Sequence, residues 1–290
     1  MARRTVVCVG ETLWDLLPAG EFIGGAPFNV AAHASRLGAR ARLVSRVGND
    51  ARGEAARRMA GRHGVDLGLL QTDAVLPTGW ARVRLDDGGV AHYEIPGPAA
   101  WDAIEATPGA VDAAAKADAL VYGTLAQRDG RARSAVQRLI AAARYRVYDP
   151  NLREPHVDRD IALTSLQQAD LVKLNEEECR TFARWIRCDA GPEPLHAALR
   201  QQFGVRALCI TLGERGALLF HGGRRYQQPA VAIDVVDTVG AGDAFLAMLC
   251  IELLHRSEPA TALRRAARLA AYVASRPGAV PRYEPDPFLA

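Results

Sequence analysis

Residues 237–243, with the sequence Asp-Thr-Val-Gly-Ala-Gly-Asp, place two carboxylates around small residues at the start of a predicted helix. Small side chains let backbone N–H groups approach a ligand closely, and a helix N-terminus offers unpaired N–H donors at the positive end of its dipole. We therefore predict that Gly240, Ala241 and Gly242 form an anion site for phosphate oxygens. Asp243, in the first helical turn, is predicted to be the general base that accepts a hydroxyl proton. The alternative is that Asp243 only caps its helix.

This combination is typical of phosphoryl transfer, which needs positioning, charge neutralisation and a group that accepts a proton. The sequence contains no Gly-Lys-Ser/Thr motif, so a P-loop is excluded. Its two lysines, Lys116 and Lys173, do not lie in protein-kinase motifs. The phosphates must therefore be bound by another arrangement, and any step that requires a lysine must use one of these two.

The elements that position these residues alternate along the chain. Apolar runs predict strands at 5–10, 41–47, 119–122, 146–148, 171–174 and 207–211. Helical patterns lie between and after them, at 27–37, 53–63, 131–144, 195–203, 241–254 and 259–275. This alternation predicts an α/β fold with a parallel sheet covered by helices on both faces. In such sheets ligands bind at the carboxyl ends of the strands.

A change of character occurs at residues 78–85 and 90–95, which are short alternating runs. They are joined by Asp86-Asp87-Gly88-Gly89, a strong hairpin turn signal. No internal repeat, linker or low-complexity segment divides the chain. We therefore predict one catalytic domain with a small β appendage.

Composition excludes several classes of function. The 36 basic and 33 acidic residues are interspersed, so no basic stripe predicts a nucleic-acid partner. The longest apolar stretch, about 244–254, is shorter than the roughly 20 residues that span a bilayer, so no membrane partner is expected. The five cysteines are widely spaced without a CxxC pair, and the N-terminus shows no export signal. A cytoplasmic location is predicted.

Four ordered motifs resemble those of the ribokinase-like carbohydrate kinases, also called the PfkB family. They are GGAPFNVA at 24–31, DPNLR at 149–153, KLNEEE at 173–178 and DTVGAGD at 237–243. The resemblance covers essentially the whole chain. It implies a three-layer α/β/α ribokinase-like fold with a mainly parallel central sheet and a small β-sheet lid. It also implies a single domain over 1–290, with the lid contributed by about 12–24 and 77–100, and ATP with Mg²⁺ as cofactors.

The resemblance assigns roles on the nucleotide side of the site. Asp243 matches the general base, and the backbone of residues 240–242 matches the anion hole. Asn175 and Glu178 match an Asn-x-x-Glu element that organises magnesium and phosphate through water. The alternative for this pair is a helix cap with an acidic first turn.

Further nucleotide-side matches are less specific. Thr211, Gly213 and Gly216 match a turn beside the ribose and phosphates. Asp237 matches a ligand of the monovalent cation that some family members bind, which leaves dependence on K⁺ open.

The sugar side of the predicted site begins with Asp15, read as a carboxylate at a strand end that accepts hydrogen bonds from two sugar hydroxyls. Gly24 and Gly25 would let the backbone approach the sugar, and Asn29 could reach another hydroxyl. Arg153 is a further candidate for substrate binding, with a surface ion pair as the alternative.

The motifs resemble those of fructokinases in the Gly-Glu-x-Leu-x-Asp opening and in DPNLR. Ala26-Pro27 stands where phosphosugar kinases tend to carry a lysine, so a neutral sugar is predicted, with fructose first. Ribose, a nucleoside and 2-keto-3-deoxygluconate stay open as acceptors. A non-catalytic sugar or nucleotide sensor is the alternative of another class.

The lid is where the sequence departs from the pattern of many fructokinases, which carry an arginine-containing segment after the hairpin. Here the segment reads His92-Tyr93-Glu94-Ile95-Pro96 and continues to Trp101. Tyr93 and Trp101 are candidates for stacking on a sugar face, with buried packing as the alternative. In the family that the motifs resemble, lid strands often pair between subunits, so the resemblance also implies a homodimer.

Overall fold

The computed structural model describes residues 3–17, 20–85 and 91–289. Its strands are β1 Thr5–Val9, β2 Leu13–Leu17, β3 Gly20–Gly24, β4 Arg40–Gly48, β5 Leu70–Asp73, β6 Gly79–Leu85, β7 Ala91–Glu94, β8 Ala119–Tyr122, β9 Arg146–Tyr148, β10 Leu171–Asn175, β11 Ala207–Thr211, β12 Ala217–His221 and β13 Arg224–Gln228. Its α-helices are α1 Ala26–Arg36, α2 Ala51–Arg62, α3 Pro108–Lys116, α4 Gly130–Ala142, α5 Arg159–Gln167, α6 Glu176–Ile186, α7 Pro192–Phe203, α8 Ala241–Leu254, α9 Pro259–Ala274 and α10 Asp286–Leu289.

The large sheet has nine strands in the order β13-β12-β11-β10-β9-β8-β1-β4-β5. Neighbouring strands are parallel except at one edge, where β12 pairs antiparallel with β11 and with β13. Alternate residues of β1 face two separate cores: Val6 and Cys8 pack with α1, α8 and α9, whereas Val7 and Val9 pack with α3, α4 and α5. The predicted three-layer α/β/α arrangement with a mainly parallel sheet is confirmed.

Helix α8 is apolar around its whole circumference, as expected for a helix enclosed by protein. Ten consecutive residues, 243–252, are buried, and the helix packs between α1 and α9. This burial leaves Asp243 as a carboxylate at the entry of a mostly apolar helix, whose other acid, Glu252, is paired with Arg265 of α9. Over the described residues, no helix is both long and apolar enough to cross a membrane.

A smaller, separate sheet has the order β3-β2-β6-β7. Strand β2 pairs antiparallel with β3 and parallel with β6, and β6 pairs antiparallel with β7. These strands lie in the two segments, about 12–24 and 77–100, that the resemblance assigns to the lid. The predicted turn at residues 86–89 and the side chain of Tyr93 lie outside what the structure describes.

The return from this sheet to the main body is held by Arg128. Its guanidinium makes two 2.8 Å bonds to the carboxylate of Asp102 and donates to the carbonyls of Ile95 and Pro96. It also lies 3.9 Å from the ring centroid of Trp101, which is fully buried. Trp101 is therefore a packing residue beneath Arg128, so for this residue the alternative of buried packing is realised and stacking on a sugar is not.

Most predicted boundaries differ from the observed ones by one to three residues, since helix and strand ends depend on local caps. A larger correction concerns Asp15, which lies in the middle of β2, opposite Phe22 of β3, and not at a strand end. Strands β5, β12 and β13 were not predicted.

Candidate active site

The predicted site residues lie where parallel strands lead into loops or helices. Asn175 ends β10 and is in register with Thr211 at the end of β11. Asp149 directly follows β9, the other neighbour of β10. Because the carboxyl ends of parallel strands meet at one edge of the sheet, residues far apart in the chain are brought together there.

Asp243 lies in the first turn of α8 and is 8% exposed. Its Oδ2 accepts a 2.8 Å hydrogen bond from Nδ2 of Asn29 on α1. Burial, together with the charge of Asp149, raises the pKa of Asp243 to about 6, while the Asn29 bond and the cations Lys173 and Arg153 oppose the rise. The group is therefore a carboxylate at neutral pH with an increased affinity for a proton, as a general base requires.

Gly240 is the N-cap of α8 and has φ of +75°, a conformation that favours glycine. A Cβ at Gly240 would lie 2.5 Å from Cα of Ala279, so the turn is packed tightly against the segment 278–279. Because the N-cap residue is a glycine, it offers no side-chain oxygen to the first turn of the helix. The first N–H groups of α8 therefore have no side-chain acceptor at the cap, as a site for an external anion requires.

Lys173 and Asp149 form a buried ion pair beneath this helix start. Nζ of Lys173 donates to Oδ2 of Asp149 at 2.8 Å, and the side chains are 8% and 6% exposed. Burial works against the charge of Lys173, but Asp149 and Glu178 hold its pKa above the usual range. A Cβ at Gly242 would lie 3.1 Å from Nζ, so the ammonium group lies directly behind the anion site.

Sequence reasoning did not assign this ion pair, although two signals pointed to it. The chain has only two lysines. Asp149 begins the motif DPNLR at 149–153, and Lys173 begins the motif KLNEEE at 173–178. Oδ1 of Asp149 is buried and has no hydrogen-bond partner among the described residues. The pair adds positive charge behind α8 and leaves one carboxylate oxygen available for a further contact.

Asn175 and Glu178 form a capping box at the start of α6. Glu178 N–H donates to Asn175 Oδ1 and Asn175 N–H donates to Glu178 Oε2, both at 2.8 Å. The other carboxylate oxygen, Oε1, accepts from the N–H of Leu152 at 2.9 Å. The capping alternative is therefore realised. Glu178 is 2% exposed, and its engaged oxygens favour a water-mediated contact with a metal over direct ligation.

The turn after β11 contains Gly213 and Gly216, both with positive φ. A Cβ at Gly216 would collide with the carbonyl of Gln228 on β13, so this glycine permits the packing of the turn against the edge strand. Gly213 has no neighbour within 4 Å of a Cβ position, which leaves open space beside the turn. The hydroxyl of Thr211 donates a long 3.4 Å bond to the carbonyl of Leu174.

Asp237 fixes the loop before α8. Its Oδ1 accepts from the N–H of Val239 at 2.9 Å, and Oδ2 accepts from the N–H of Gly278 at 3.1 Å. The carboxylate thus joins the two segments that meet at Gly240. Its role as a ligand of a monovalent cation stays a prediction.

A second group of carboxylates lies on the side predicted to bind the sugar. Burial, with the charge of Asp243, raises the pKa of Asp15 to about 7, and a Cβ at Gly24 would collide with Oδ2 of Asp15. The nearby Arg153 lowers the pKa of Asp15, of Asp243 and of Glu11. Gly24 therefore makes room for the Asp15 carboxylate, and Arg153 faces the three acids.

Glu11 was not assigned from the sequence, although it belongs to the quoted Gly-Glu-x-Leu-x-Asp opening. It is 4% exposed, and its Oε1 accepts from the N–H of Ala26 at 3.2 Å. Burial raises the pKa of Glu11 to about 7. Gly25 has φ of +103°, and a Cβ at this position would collide with the backbone carbonyl of Glu11. The backbone of Gly25 therefore packs directly against Glu11.

Among the described residues, no group of three or more His, Cys, Asp or Glu side chains could hold a metal ion by itself. The site instead combines an uncapped helix start, a buried cation and an oriented carboxylate. A magnesium ion that is held mostly by phosphate oxygens and water fits such a site.

Comparisons with known proteins agree with this chemistry. The fructokinase of Escherichia coli is 30% identical over 256 residues, which cover 83% of this chain and 81% of that protein. A structure of a fructokinase from Vibrio cholerae O395 is described as the fructose, ADP and calcium ion bound form. Its sequence is 26% identical to this chain and its TM-score is 0.82. The match covers 95% of this chain and 94% of that one. An uncharacterized sugar kinase from Pyrococcus horikoshii has a TM-score of 0.84 at 25% identity, covering 98% and 96% of the two chains.

The family comparison is the broadest of these findings. The model of the family described as "pfkB family carbohydrate kinase" matches residues 5–286 of this chain. Because this match extends over nearly the whole chain and is accompanied by curated fructokinase relatives, the protein belongs to the pfkB family of carbohydrate kinases.

Proposed function

We propose that this kinase transfers the γ-phosphate of ATP to a hydroxyl of a small unphosphorylated sugar, with fructose as the first candidate. The observation that carries the proposal is the carboxylate of Asp243, buried, oriented by Asn29 and set in the first turn of an uncapped helix. A proton acceptor beside an anion site is what transfer to a hydroxyl requires.

In the proposed reaction, the sugar hydroxyl hydrogen-bonds to Asp243 and loses its proton to this carboxylate as its oxygen attacks the γ-phosphorus. The N–H groups of residues 240–242 and the charge of Lys173 stabilise the negative charge on the transferred phosphoryl group. Magnesium, when bound, neutralises charge on the phosphate oxygens. Asn175 and Glu178 are proposed to contact the magnesium ion through water. The turn with Thr211, Gly213 and Gly216 is proposed to lie along the nucleotide. Asp237 is proposed to contact a potassium ion if one binds.

The sugar is proposed to lie against Asp15, Asn29, Gly24, Gly25 and Arg153. Asp15, Glu11 and Asp243 bring three acids to this region, faced by Arg153. Such an excess of negative charge disfavours an acceptor that is itself an anion. The charge balance therefore favours fructose or another neutral sugar over 2-keto-3-deoxygluconate. Among neutral sugars, fructose is favoured because the E. coli relative is named a fructokinase.

The small sheet is proposed to act as a lid that closes over the sugar and excludes water, which limits hydrolysis of ATP. Arg128 supports this role because it ties the return segment of the lid to the main body through Asp102. Pairing of the lid strands with a second copy, to give a homodimer, is a further part of the proposal.

The experiment is a coupled assay of ADP release with Mg²⁺ and ATP against fructose, ribose, glucose, adenosine and 2-keto-3-deoxygluconate, with and without K⁺. The same assay on Asp243→Asn should show a decrease of about 10²–10⁴-fold with ATP binding retained. The exposed Asp189→Asn is the matched control and should behave as the unaltered protein.

Turnover on another acceptor would keep the mechanism and replace fructose. Full activity of Asp243→Asn would refute the assignment of the base. Ligand binding without turnover on any acceptor would favour the sensor.

A further inference from the structure

Helix α1 carries a fully buried histidine to which the proposed reaction gives no role. His33 lies one turn after Asn29 on the same face of the helix. Its Nε2 lies 3.0 Å from the carbonyl oxygen of Ala279, and its Nδ1 lies 2.9 Å from the hydroxyl oxygen of Tyr283. Both ring nitrogens therefore have partners, and both partners belong to the segment that follows α9.

These partners fix the position of the ring proton. A carbonyl oxygen only accepts hydrogen bonds, so Nε2 of His33 carries the hydrogen and donates it to Ala279. In the neutral ring Nδ1 accepts, and the hydroxyl of Tyr283 donates to it. Burial lowers the pKa of His33 to about 4, an effect that Arg36 and His63 increase and the bond to Ala279 opposes. The ring is therefore neutral at pH 7.

The carbonyl that His33 holds lies against the start of α8. A Cβ at Gly240 would lie 2.6 Å from the oxygen of Ala279 and 2.5 Å from its Cα, so the two backbones are in direct contact. The preceding residue, Gly278, donates its N–H to Oδ2 of Asp237 at 3.1 Å. The segment behind Gly240 is thus held from two sides, by Asp237 in the loop before α8 and by His33 on α1.

A third residue of α1 extends this contact. Arg36 donates to the carbonyl of Pro281, and its guanidinium lies 4.9 Å from the ring centroid of Tyr283. Asn29, His33 and Arg36 follow one another at spacings of four and three residues, which places them on one face of the helix. The same face of α1 therefore contacts the proposed base and the segment behind the anion site.

We propose that His33 is a positioning residue for the anion site: its bond to the Ala279 carbonyl keeps that segment against Gly240 and so directs the N–H groups of residues 240–242 toward the transferred phosphoryl group. This inference rests on the proposed function, in which these N–H groups stabilise the phosphoryl charge. Asn29 orients the base, and His33 holds the donors from the next turn of the same helix. A displacement of about 1 Å can lower a rate about 100-fold.

The test is a matched pair of variants, His33→Gln and His33→Met. The two new side chains have nearly the same length, and both lose the stacking of the imidazole on Tyr283. Only glutamine keeps an N–H donor that can reach the carbonyl of Ala279. We expect His33→Met to lower kcat about 10–100-fold, with the KM for sugar changed less than about twofold. His33→Gln should recover most of the lost kcat.

Tyr283→Phe controls for a general loosening of the segment after α9. It removes the hydroxyl that donates to Nδ1 but keeps the stacked ring and the bond from His33 to Ala279. Urea unfolding should show a loss of stability, whereas kcat should change less than about threefold. Equal losses of kcat in Tyr283→Phe and His33→Met would refute the proposal. Equal kcat in His33→Gln and His33→Met would also refute it, since His33 would then be a packing residue.

A second readout needs neither ATP nor sugar. Histidine-ring ¹H–¹⁵N spectra of the ligand-free protein at pH 7 should contain a neutral ring protonated on Nε2, whose signals are absent from His33→Gln. A His33 ring protonated on Nδ1 would refute the proposal even if His33→Met failed to fold. The backbone amide signals of Gly240 and Gly242 should move in His33→Met and move less in His33→Gln. Unmoved signals in His33→Met would contradict the inferred support of the helix start.

Asp243→Asn, measured in parallel, separates this inference from the proposed function. If Asp243→Asn is inactive while His33→Met keeps full kcat, the positioning role fails and the base assignment stands. If Asp243→Asn is fully active, the proposed function fails, and the role of His33 fails with it.

Discussion

The side-chain amide of Asn29 donates a 2.8 Å hydrogen bond to Oδ2 of Asp243, joining residues 214 positions apart in the chain. The bond connects α1, which begins after Gly25, to α8, which begins after Gly240. It holds the carboxylate in one orientation and leaves Oδ1 without a hydrogen-bond partner among the described residues, so this oxygen can face a hydroxyl. The two glycine-containing motifs therefore form one site.

Replacing Asn29 with Ala should reduce kcat at pH 7 by about 10–100-fold, because a hydrogen bond to a charged group contributes about 1.5–3 kcal/mol. The Asn29 bond lowers the pKa of Asp243, so its loss should move the acidic limb of the kcat profile above its position near pH 6. Measurement of kcat from pH 5 to 9 checks this. Asn49→Ala, at an exposed position, should change neither. An effect confined to the KM for sugar would limit Asn29 to substrate binding.

Replacing Lys173 with Met should lower the free energy of unfolding by about 3–5 kcal/mol, because it leaves the buried Asp149 carboxylate without its cation. Lys116→Met removes the only other lysine, whose ion pair with Asp112 is exposed, and should cost less than about 1 kcal/mol. Urea unfolding of both variants measures the difference. Adding Asp149→Asn to Lys173→Met should recover part of the loss. Equal effects of the two lysine variants would contradict the inferred importance of the buried pair.

Gly240→Ala should abolish most turnover and destabilise the protein. The positive φ alone costs a non-glycine residue about 1–2 kcal/mol, and the added Cβ would press on Ala279 at 2.5 Å. Gly204→Ala is a matched control, since Gly204 has a similar φ of +71° but open space around its Cβ position. Gly204→Ala should lower the free energy of unfolding only by the cost of the positive φ, and its kcat/KM should be unchanged. Activity and unfolding measurements on both variants test whether the close approach at Gly240 matters.

Asp15→Asn should make the ligand-free protein more stable at pH 8. The pKa of Asp15 is raised from 3.8 to about 7 in the folded state, so the folded protein binds a proton there more tightly than the unfolded chain. Its contribution to stability is complete below pH 3.8 and is lost as the pH rises through about 7. The advantage of the Asn variant should therefore grow from pH 4 to pH 8, reaching about 1–3 kcal/mol.

Urea unfolding at several pH values measures this advantage, with Asp189→Asn as an exposed control. An advantage that stays constant with pH would show that Asp15 titrates normally. Asp15→Asn should also weaken sugar binding.

Much of the fold could be predicted because its signals are local. Continuous apolar runs such as Thr5–Val9 predict strands buried on both faces, and those strands carry the parallel sheet. The mostly apolar α8 was predicted with its observed bounds. The motifs named the base candidate and the anion site because their glycines and acids are adjacent in sequence.

Other features depended on contacts that sequence spacing does not encode. The position of Asp15 within β2 and the pairing of Lys173 with Asp149 follow from which strands are neighbours and in what register. The burial of Trp101 under Arg128 depends on how two loop segments pack together. Local patterns do not determine register between segments that are distant in the chain.

By itself, then, the sequence determined an α/β kinase fold and a glycine-rich helix start that ends in Asp243. Only the tertiary structure decided that Asn29 orients this carboxylate, that Lys173 lies behind the anion site and that Glu11 shares a cavity with Asp149 and Asp243. The physical reason is that charges and hydrogen bonds act over a few ångströms in space, and the folding of parallel strands brings together groups that are far apart along the chain.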